Sequence, residues 1–106
     1  MTNWIDVAPV GEFAPNTCQA ITTEDGTEIA VFNLDDGFYA VEDACPHDYK
    51  TLSGGAIEGN EIVCPWHGAR FDIKTGNVLS APAHEAITTF PTRVEKEMVQ
   101  VAWDDE

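Results

Sequence analysis

Two short segments of the chain combine thiol and imidazole side chains, which are good ligands for transition metals. The segments are Cys45-Pro46-His47 and Cys64-Pro65-Trp66-His67, and residues 48–63 lie between them. Proline fixes the backbone φ in each segment, and Gly68 permits a tight turn directly after the second. The pattern therefore predicts two stiff loops that together carry four metal ligands, namely Cys45, His47, Cys64 and His67.

These four side chains are compatible with two kinds of metal centre. Two thiolates and two imidazoles can bind zinc tetrahedrally, which would make the chain a structural, non-redox interaction module. Zinc motifs, however, usually pair two cysteines and then two histidines. Here each loop carries one of each, which favours a two-iron cluster with both thiolates on one iron and both imidazoles on the other.

The sequence around the loops predicts a scaffold of short β-strands. Glu24-Asp25-Gly26, Asp35-Asp36-Gly37 and Lys74-Thr75-Gly76-Asn77 are turn sequences, and strand-like segments flank them. Strands at this spacing are typical of a small sandwich or barrel. No long apolar pattern with a period of 3.6 residues predicts a helix. We expect strands at residues 4–8, 17–23, 27–33, 37–42, 61–64, 69–73, 87–90, 93–95 and 98–103.

Length and composition suit one small domain, residues 1–106. The middle, from about 44 to 83, is richer in Gly, Pro, Cys and His than its flanks, which predicts a loop-rich subdomain inserted in a β base. The chain has three cysteines, and an odd count argues against a disulfide framework. Cys18 is expected to be a buried thiol, and Trp4 and Trp103 are expected to pack in the sandwich.

The charge balance excludes two classes of partner. Five Lys and Arg face 19 Asp and Glu, for a net charge of −14, and such a surface repels nucleic acids and anionic membranes. No apolar run approaches the roughly 18 residues that span a bilayer. The first residues show no signal-peptide pattern, so a cytoplasmic location is expected.

The two motifs resemble the signature of the Rieske [2Fe–2S] family. The resemblance extends from 64–68 into the segment 69–76, and it covers essentially the whole chain. Residues 38–43 and Ala81-Pro82-Ala83 stand where that family has its preceding strand and its third, proline-containing loop. The resemblance implies an all-β, Rieske-like antiparallel β-sandwich with a loop-rich cluster-binding subdomain. It also implies one [2Fe–2S] cluster per chain, bound by Cys45, His47, Cys64 and His67.

Within the family, a chain of this length resembles the ferredoxins that serve multicomponent aromatic-ring dioxygenases. This resemblance implies a soluble one-electron carrier rather than an enzyme. A monomer is expected, because a shuttle must dissociate from each partner. The carrier would pass electrons from an NAD(P)H-dependent ferredoxin reductase to a terminal non-haem iron oxygenase. Two other roles in the family stay open: an electron-transfer subunit of nitrite reductase and a ferredoxin linked to iron–sulfur assembly.

The resemblance also suggests roles for residues close to the ligands. Trp66 and Pro82 are expected to lie at the exposed tip and to dock against partners. Ala69 and Phe71 stand where high-potential relatives carry hydroxyl groups that donate hydrogen bonds to the cluster. Their replacement predicts a reduction potential near the low end of the Rieske range.

Overall fold

The computed structural model describes residues 2–24, 26–43, 52–64, 68–79 and 86–104. The described chain is built of β-strands, with one short 3₁₀ turn at Val10–Glu12. The predicted all-β class is therefore confirmed. The strands are β1 (Thr2–Pro9), β2 (Cys18–Thr22), β3 (Glu28–Leu34), β4 (Gly37–Glu42), β5 (Ala56–Glu58), β6 (Glu61–Val63), β7 (Arg70–Asp72), β8 (Thr89–Phe90), β9 (Thr92–Glu95) and β10 (Met98–Asp104).

The strands form three antiparallel sheets. The terminal sheet has the order β1-β10-β9, the middle sheet β2-β3-β4-β8, and the small sheet β5-β6-β7. Strands that follow one another in sequence pair as hairpins, as in β3–β4 and β6–β7. The pairing of β1 with β10 brings the two ends of the described chain together. Within the described residues, no helix is long and apolar enough to cross a membrane.

The middle sheet lies between the other two, because β3 is buried on both faces. Successive side chains of a strand point to opposite faces, so Val31 and Phe32 enter different cores. The terminal core lies between the terminal and middle sheets and consists of Ala8, Phe13, Ile29, Val31, Ala40, Val99 and Val101. The loop core lies between the middle and small sheets and consists of Ala30, Phe32, Leu34, Val41, Leu52, Ile62, Cys64, Ala69, Phe71, Ile73 and Ile87.

The two tryptophans of the terminal sheet behave differently. Trp103 is buried as predicted, but the prediction for Trp4 is wrong, since this side chain is 36% exposed. Trp4 is paired with Ala102, the neighbour of Trp103, so the two indoles project to opposite faces. On the outer face, the guanidinium of Arg93 lies 4.1 Å from the Trp4 ring centroid.

Candidate metal centre

The structure describes the ends of the predicted ligand loops and one of the four predicted ligands. That ligand is Cys64, at the end of β6, and its side chain is buried in the loop core. Its thiol forms no disulfide. The other predicted ligands and the predicted docking residues lie outside the described residues: Cys45, His47, His67, Trp66 and Pro82.

A tight turn begins at Cys64. The N–H of Gly68 donates to the carbonyl of Cys64 at 3.0 Å, and the N–H of Cys64 donates to the carbonyl of Ala69 at 2.7 Å. Gly68 has a φ of +76°, in the left-handed region that glycine adopts without steric cost. These bonds close the two ends of the second ligand loop, which in sequence contains His67.

A buried carboxylate closes the base of the first ligand loop. Asp43, just after β4, is 2% exposed. Its Oδ1 accepts hydrogen bonds from the N–H of Leu52 at 2.7 Å and of Ser53 at 2.8 Å. Its own N–H donates to the carbonyl of Glu28 at 2.9 Å. Both ends of the segment 44–51 are therefore held at one point of the fold.

The bases of the two ligand loops are in direct contact. The N–H of Gly55 donates to the carbonyl of Leu52 at 2.9 Å, which closes a turn before β5. A Cβ at Gly55 would lie 1.9 Å from the carbonyl oxygen of Val63, so only glycine fits here. Because Val63 precedes Cys64, this approach joins the end of the first loop to the start of the second.

The third predicted loop starts at the same edge of the small sheet. The N–H of Leu79 donates to the carbonyl of Arg70 at 2.8 Å, and Arg70 pairs with Val63 in the sheet. The side chain of Leu79 is 49% exposed. Sequence reasoning did not single out this residue, although its place just before the proline-containing loop was a usable signal.

Ion pairs occupy the basic side chains of the small sheet and its turn. Nη1 of Arg70 lies 3.1 Å from Glu58 and 3.3 Å from Glu61, and hydrogen bonds to these carboxylates raise the pKa of Arg70. Nζ of Lys74 lies 2.6 Å from Asp36 in the β3–β4 turn. This hydrogen bond lowers the pKa of Asp36 and raises the pKa of Lys74. The Lys74 pair therefore ties the small sheet to the middle sheet.

The described residues fit an iron–sulfur centre. Thiolates are the usual protein ligands of iron–sulfur clusters, and the Cys64 thiol, which is in no disulfide, lies where the ends of both ligand loops meet. Among the described residues taken by themselves, no group of three or more His, Cys, Asp or Glu could hold a metal ion. The Cys64 thiol and the converging loop ends make this edge of the small sheet the candidate centre.

Comparison with known proteins decides the family. A family model described as the Rieske [2Fe-2S] domain matches residues 3–91. The chain belongs to the Rieske [2Fe–2S] family. The predicted resemblance and the predicted cofactor, one [2Fe–2S] cluster per chain, are thereby confirmed, and the zinc module is set aside.

The relatives and solved structures include ferredoxins of dioxygenase systems. The ferredoxin component of the naphthalene 1,2-dioxygenase system of Pseudomonas aeruginosa is 36% identical over 92% of this chain and 93% of its own length. A chain in the complex of reduced oxygenase and oxidized ferredoxin of carbazole 1,9a-dioxygenase aligns with a TM-score of 0.91 and 32% identity. That alignment covers 97% of this chain and 95% of the other.

The same fold occurs in a protein named for a different system. A putative NADH-dependent nitrite reductase small subunit from Mycobacterium tuberculosis aligns with a TM-score of 0.88. It covers 100% of this chain and 99% of its own, but the identity is 23%. This likeness shows the shared fold alone.

Proposed function

We propose that the chain is the electron-carrying ferredoxin of a dioxygenase system. In this role it receives one electron at a time from an NAD(P)H-dependent reductase and passes it to a terminal oxygenase. The observation that carries the proposal is the match, over nearly the full length of both chains, to proteins named as ferredoxin components of dioxygenases. The chain is a component of an enzyme system, and the oxygen chemistry belongs to the partner.

The ligand assignment is part of the proposal. Cys45 and Cys64 hold one iron, and His47 and His67 hold the other, in agreement with the mixed pairs in the sequence. The bound cluster supplies one reversible electron at a potential that its ligands and hydrogen bonds tune. The burial of Cys64 in the loop core supports the assignment, because it keeps water away from the thiolate side.

The partner surface is proposed at the edge of the small sheet where the three loops begin. Trp66 and Pro82 are its predicted contacts, and the exposed Leu79 lies just before the third loop. Apolar side chains at such a surface release water readily when two successive partners dock. The strongly acidic chain, at −14 overall, favours partners that present basic surfaces.

The proposal also covers location, oligomeric state and domain organisation. The carrier is cytoplasmic and monomeric, and residues 44–83 form its cluster-binding subdomain. Reduced nicotinamide is an intracellular reductant, which is why a reductase that uses it implies the cytoplasm. A carrier that must leave one partner before it meets the next is served by a monomer. The monomer is expected to elute as a single species of 11.6 kDa in size-exclusion chromatography with light scattering.

Spectroscopy on anaerobically purified protein tests the cluster and its ligation. We expect about two irons and two sulfides per chain, a red-brown colour that bleaches with dithionite, and a rhombic electron paramagnetic resonance signal whose average g lies well below the free-electron value. A signal typical of four-thiolate ligation would refute the His47 and His67 assignment. Colourless protein without iron or sulfide would refute the carrier role itself.

Reconstitution tests the partner. The reduced chain, mixed with a terminal oxygenase of the naphthalene or carbazole type, is expected to reoxidise in step with substrate hydroxylation. Transfer to a nitrite reductase catalytic subunit, with no transfer to any such oxygenase, would favour the nitrite reductase alternative. Increased ionic strength is expected to slow transfer, because it screens the charges that steer the two proteins together.

A further inference from the structure

Asp43 is a charged residue at a place where charge is costly. Its side chain is only 2% exposed, and a buried carboxylate is destabilising unless hydrogen bonds compensate for the loss of water. The compensation is the pair of backbone N–H groups, from Leu52 and Ser53, that donate to one oxygen at 2.7 and 2.8 Å. Both donors lie directly after the segment that contains Cys45 and His47.

A second carboxylate, that of Asp72, also accepts hydrogen bonds from two backbone N–H groups, but it is less buried than Asp43. Oδ1 of Asp72 accepts hydrogen bonds from the backbone N–H of Lys74 at 2.8 Å and of Thr75 at 3.4 Å. These bonds organise the turn after β7, and Asp72 is only partly buried. The hydrogen bonds of Asp72 are local, since Asp side chains commonly accept from the backbone N–H two residues further along the chain. Asp43, in contrast, reaches across nine residues to Leu52.

The contacts of Asp43 continue to the second ligand loop. Leu52 is fully buried in the loop core, so the residue that Asp43 holds is itself fixed. The carbonyl of Leu52 accepts from Gly55, and Gly55 in turn packs against the carbonyl of Val63. Cys64 is the next residue. A continuous path of short contacts therefore runs from the base of one ligand loop to the first ligand of the other.

The charge of Asp43 also acts inside the fold. Burial, and then the nearby charge of Asp43, raises the pKa of the Cys18 thiol from 9.0 to about 12. Because Asp43 lies two residues before the predicted ligand Cys45, the same negative charge would disfavour an added electron on a cluster bound there.

We propose that Asp43 is a positioning residue that fixes the spacing between the two ligand loops of the Rieske centre. Its two hydrogen bonds close the first loop and hold it, through Leu52 and Gly55, against the start of the second. The proposal rests on the ligand assignment given above. The acceptor oxygen does the positioning, and the charge separately lowers the reduction potential.

Two substitutions separate these two effects. Asp43→Asn keeps an acceptor oxygen and removes the charge, whereas Asp43→Ala removes both. Asp72→Asn and Asp72→Ala are the matched controls, since they make the same changes at a turn without ligands. For each holoprotein, the iron and sulfide content, the rate of iron release to a chelator, the g values and the reduction potential are measured, together with the free energy of unfolding.

The alanine variant of Asp43 is expected to release iron at least about tenfold faster than the parent. The reason is that it loses hydrogen bonds to a charged group, which contribute more to stability than bonds between neutral groups. It is also expected to show altered g values. Asp43→Asn is expected to restore the parent g values and release rate, with a potential above that of the parent. The Asp72 variants are expected to keep the parent release rate, g values and potential, because that carboxylate is partly exposed and screened.

Several results would overturn the proposal. One is an alanine variant that folds and keeps the parent release rate and g values, and another is an equal loss of iron in the Asp72→Ala control. Loss of the cluster in Asp43→Asn, equal to that in Asp43→Ala, would show that the acceptor oxygen is not what positions the loop. If Asp43→Ala does not fold, Asp43→Asn still tests the acceptor oxygen, since loss of the cluster in this variant refutes the positioning role, and Gly55→Ala tests the same path by its g values.

The outcomes separate this proposal from the proposed function. Absence of iron and sulfide from the parent protein refutes the carrier role, and no Asp43 variant is then needed. A parent with a normal Rieske signal, together with an unaffected Asp43→Ala variant, refutes only the role of Asp43. Gly55→Ala offers an independent check on the same path, since its Cβ would collide with Val63, and it is expected to change the g values in the same sense as Asp43→Ala.

Discussion

The terminal core and the loop core share strand β3 but are held together by different means. Around the terminal core, β1 and β10 pair along almost their whole lengths, from Thr2 opposite Asp104 to Pro9 opposite Met98. Around the loop core, the strands β5, β6 and β7 have three residues each. Their connections are fixed instead by buried acceptors, glycine contacts and ion pairs, such as Asp43, Gly55 and Lys74.

This difference shows how a small protein combines a stable base with irregular loops. A long ladder of backbone hydrogen bonds constrains every residue in it to extended geometry, so it cannot present ligands at the end of a tight turn. Short strands free the backbone for turns, but each turn then needs its own fixing contact. Substitutions near the loop core are therefore expected to affect the cluster, and those in the terminal core to affect only global stability.

The largest effect is expected from substitution of Cys64, the predicted ligand that the structure describes. Cys64→Ser is expected to abolish a stable cluster, since serine supplies no thiolate. Iron and sulfide analysis and the visible spectrum measure the loss. Cys18→Ser is the matched control, because Cys18 packs beside the same core without being a proposed ligand. Retention of a full Rieske spectrum in Cys64→Ser would contradict the ligand assignment.

Truncation of one buried side chain in each core compares the two directly. Phe71→Ala in the loop core and Ile29→Ala in the terminal core remove fully buried side chains. They are expected to lower the free energy of unfolding by about 3–5 and 2–5 kcal/mol, as measured by chemical denaturation. Only Phe71→Ala is expected to accelerate iron release. Equal acceleration by both variants would remove the proposed distinction between the cores.

Two glycines with similar positive φ angles provide a test in which the expected loss of stability is smaller. Gly76, with φ +79°, has the carbonyl of Ile87 at 2.1 Å from the site of a Cβ, whereas Gly26, with φ +90°, faces open space. Gly26→Ala is expected to cost about 1 kcal/mol for the backbone strain alone. Gly76→Ala is expected to cost clearly more, because the collision is with backbone. Equal losses in thermal or chemical denaturation would indicate that the turn at Gly76 gives way.

The thiol of Cys18 provides a test that depends on pH. Burial and the charge of Asp43 raise the pKa of Cys18 to about 12, so the folded state keeps a proton that the unfolded chain loses above pH 9.0. Stability from this group is present below that pH and is lost as pH rises towards 12. The free energy of unfolding of the parent should therefore fall between pH 9 and 11 more than that of Cys18→Ala.

The smallest effect is expected on the outer face of the terminal sheet. Arg93 lies over Trp4 and donates from Nε to Gln100 at 2.8 Å, and Gln100 donates to Asp6 at 2.6 Å. An exposed contact of this kind contributes about 0.5–1 kcal/mol. Arg93→Ala is expected to lower stability by that amount and to leave the reduction potential unchanged. A change in potential would mean that the base and the metal centre are coupled.

Most of the strands could be predicted from turn sequences and alternation, and the failures have physical causes. Strand β5 was missed because Gly54 and Gly55 precede it and Gly59 follows it, a composition typical of loops. Its pairing with β6 depends on the close approach at Gly55, which sequence does not reveal. The wrong prediction for Trp4 arose because alternation on one strand does not say which face is inward.

The metal centre was predictable for a different reason. Thiol and imidazole pairs at this spacing carry the chemistry in the residue types themselves, so the family and its cluster could be inferred before any fold was known. The residues that hold the ligand loops in place could not be inferred in this way. Asp43 reads in sequence as the polar end of a strand, and its burial exists only once Leu52 and Ser53 fold back over it. The placement of Cys45, His47 and His67 lies outside the described residues and stays a prediction.

The two-sided burial of β3 limits how this chain can change its length. If one residue is inserted within Glu28–Leu34, every β3 side chain beyond it moves to the opposite face, so residues that now fill the terminal core enter the loop core and the reverse. Insertions and deletions are therefore expected to be rare in this strand, even where each single substitution is tolerated. Length variation among natural homologues and in engineered libraries is instead expected in the surface connections.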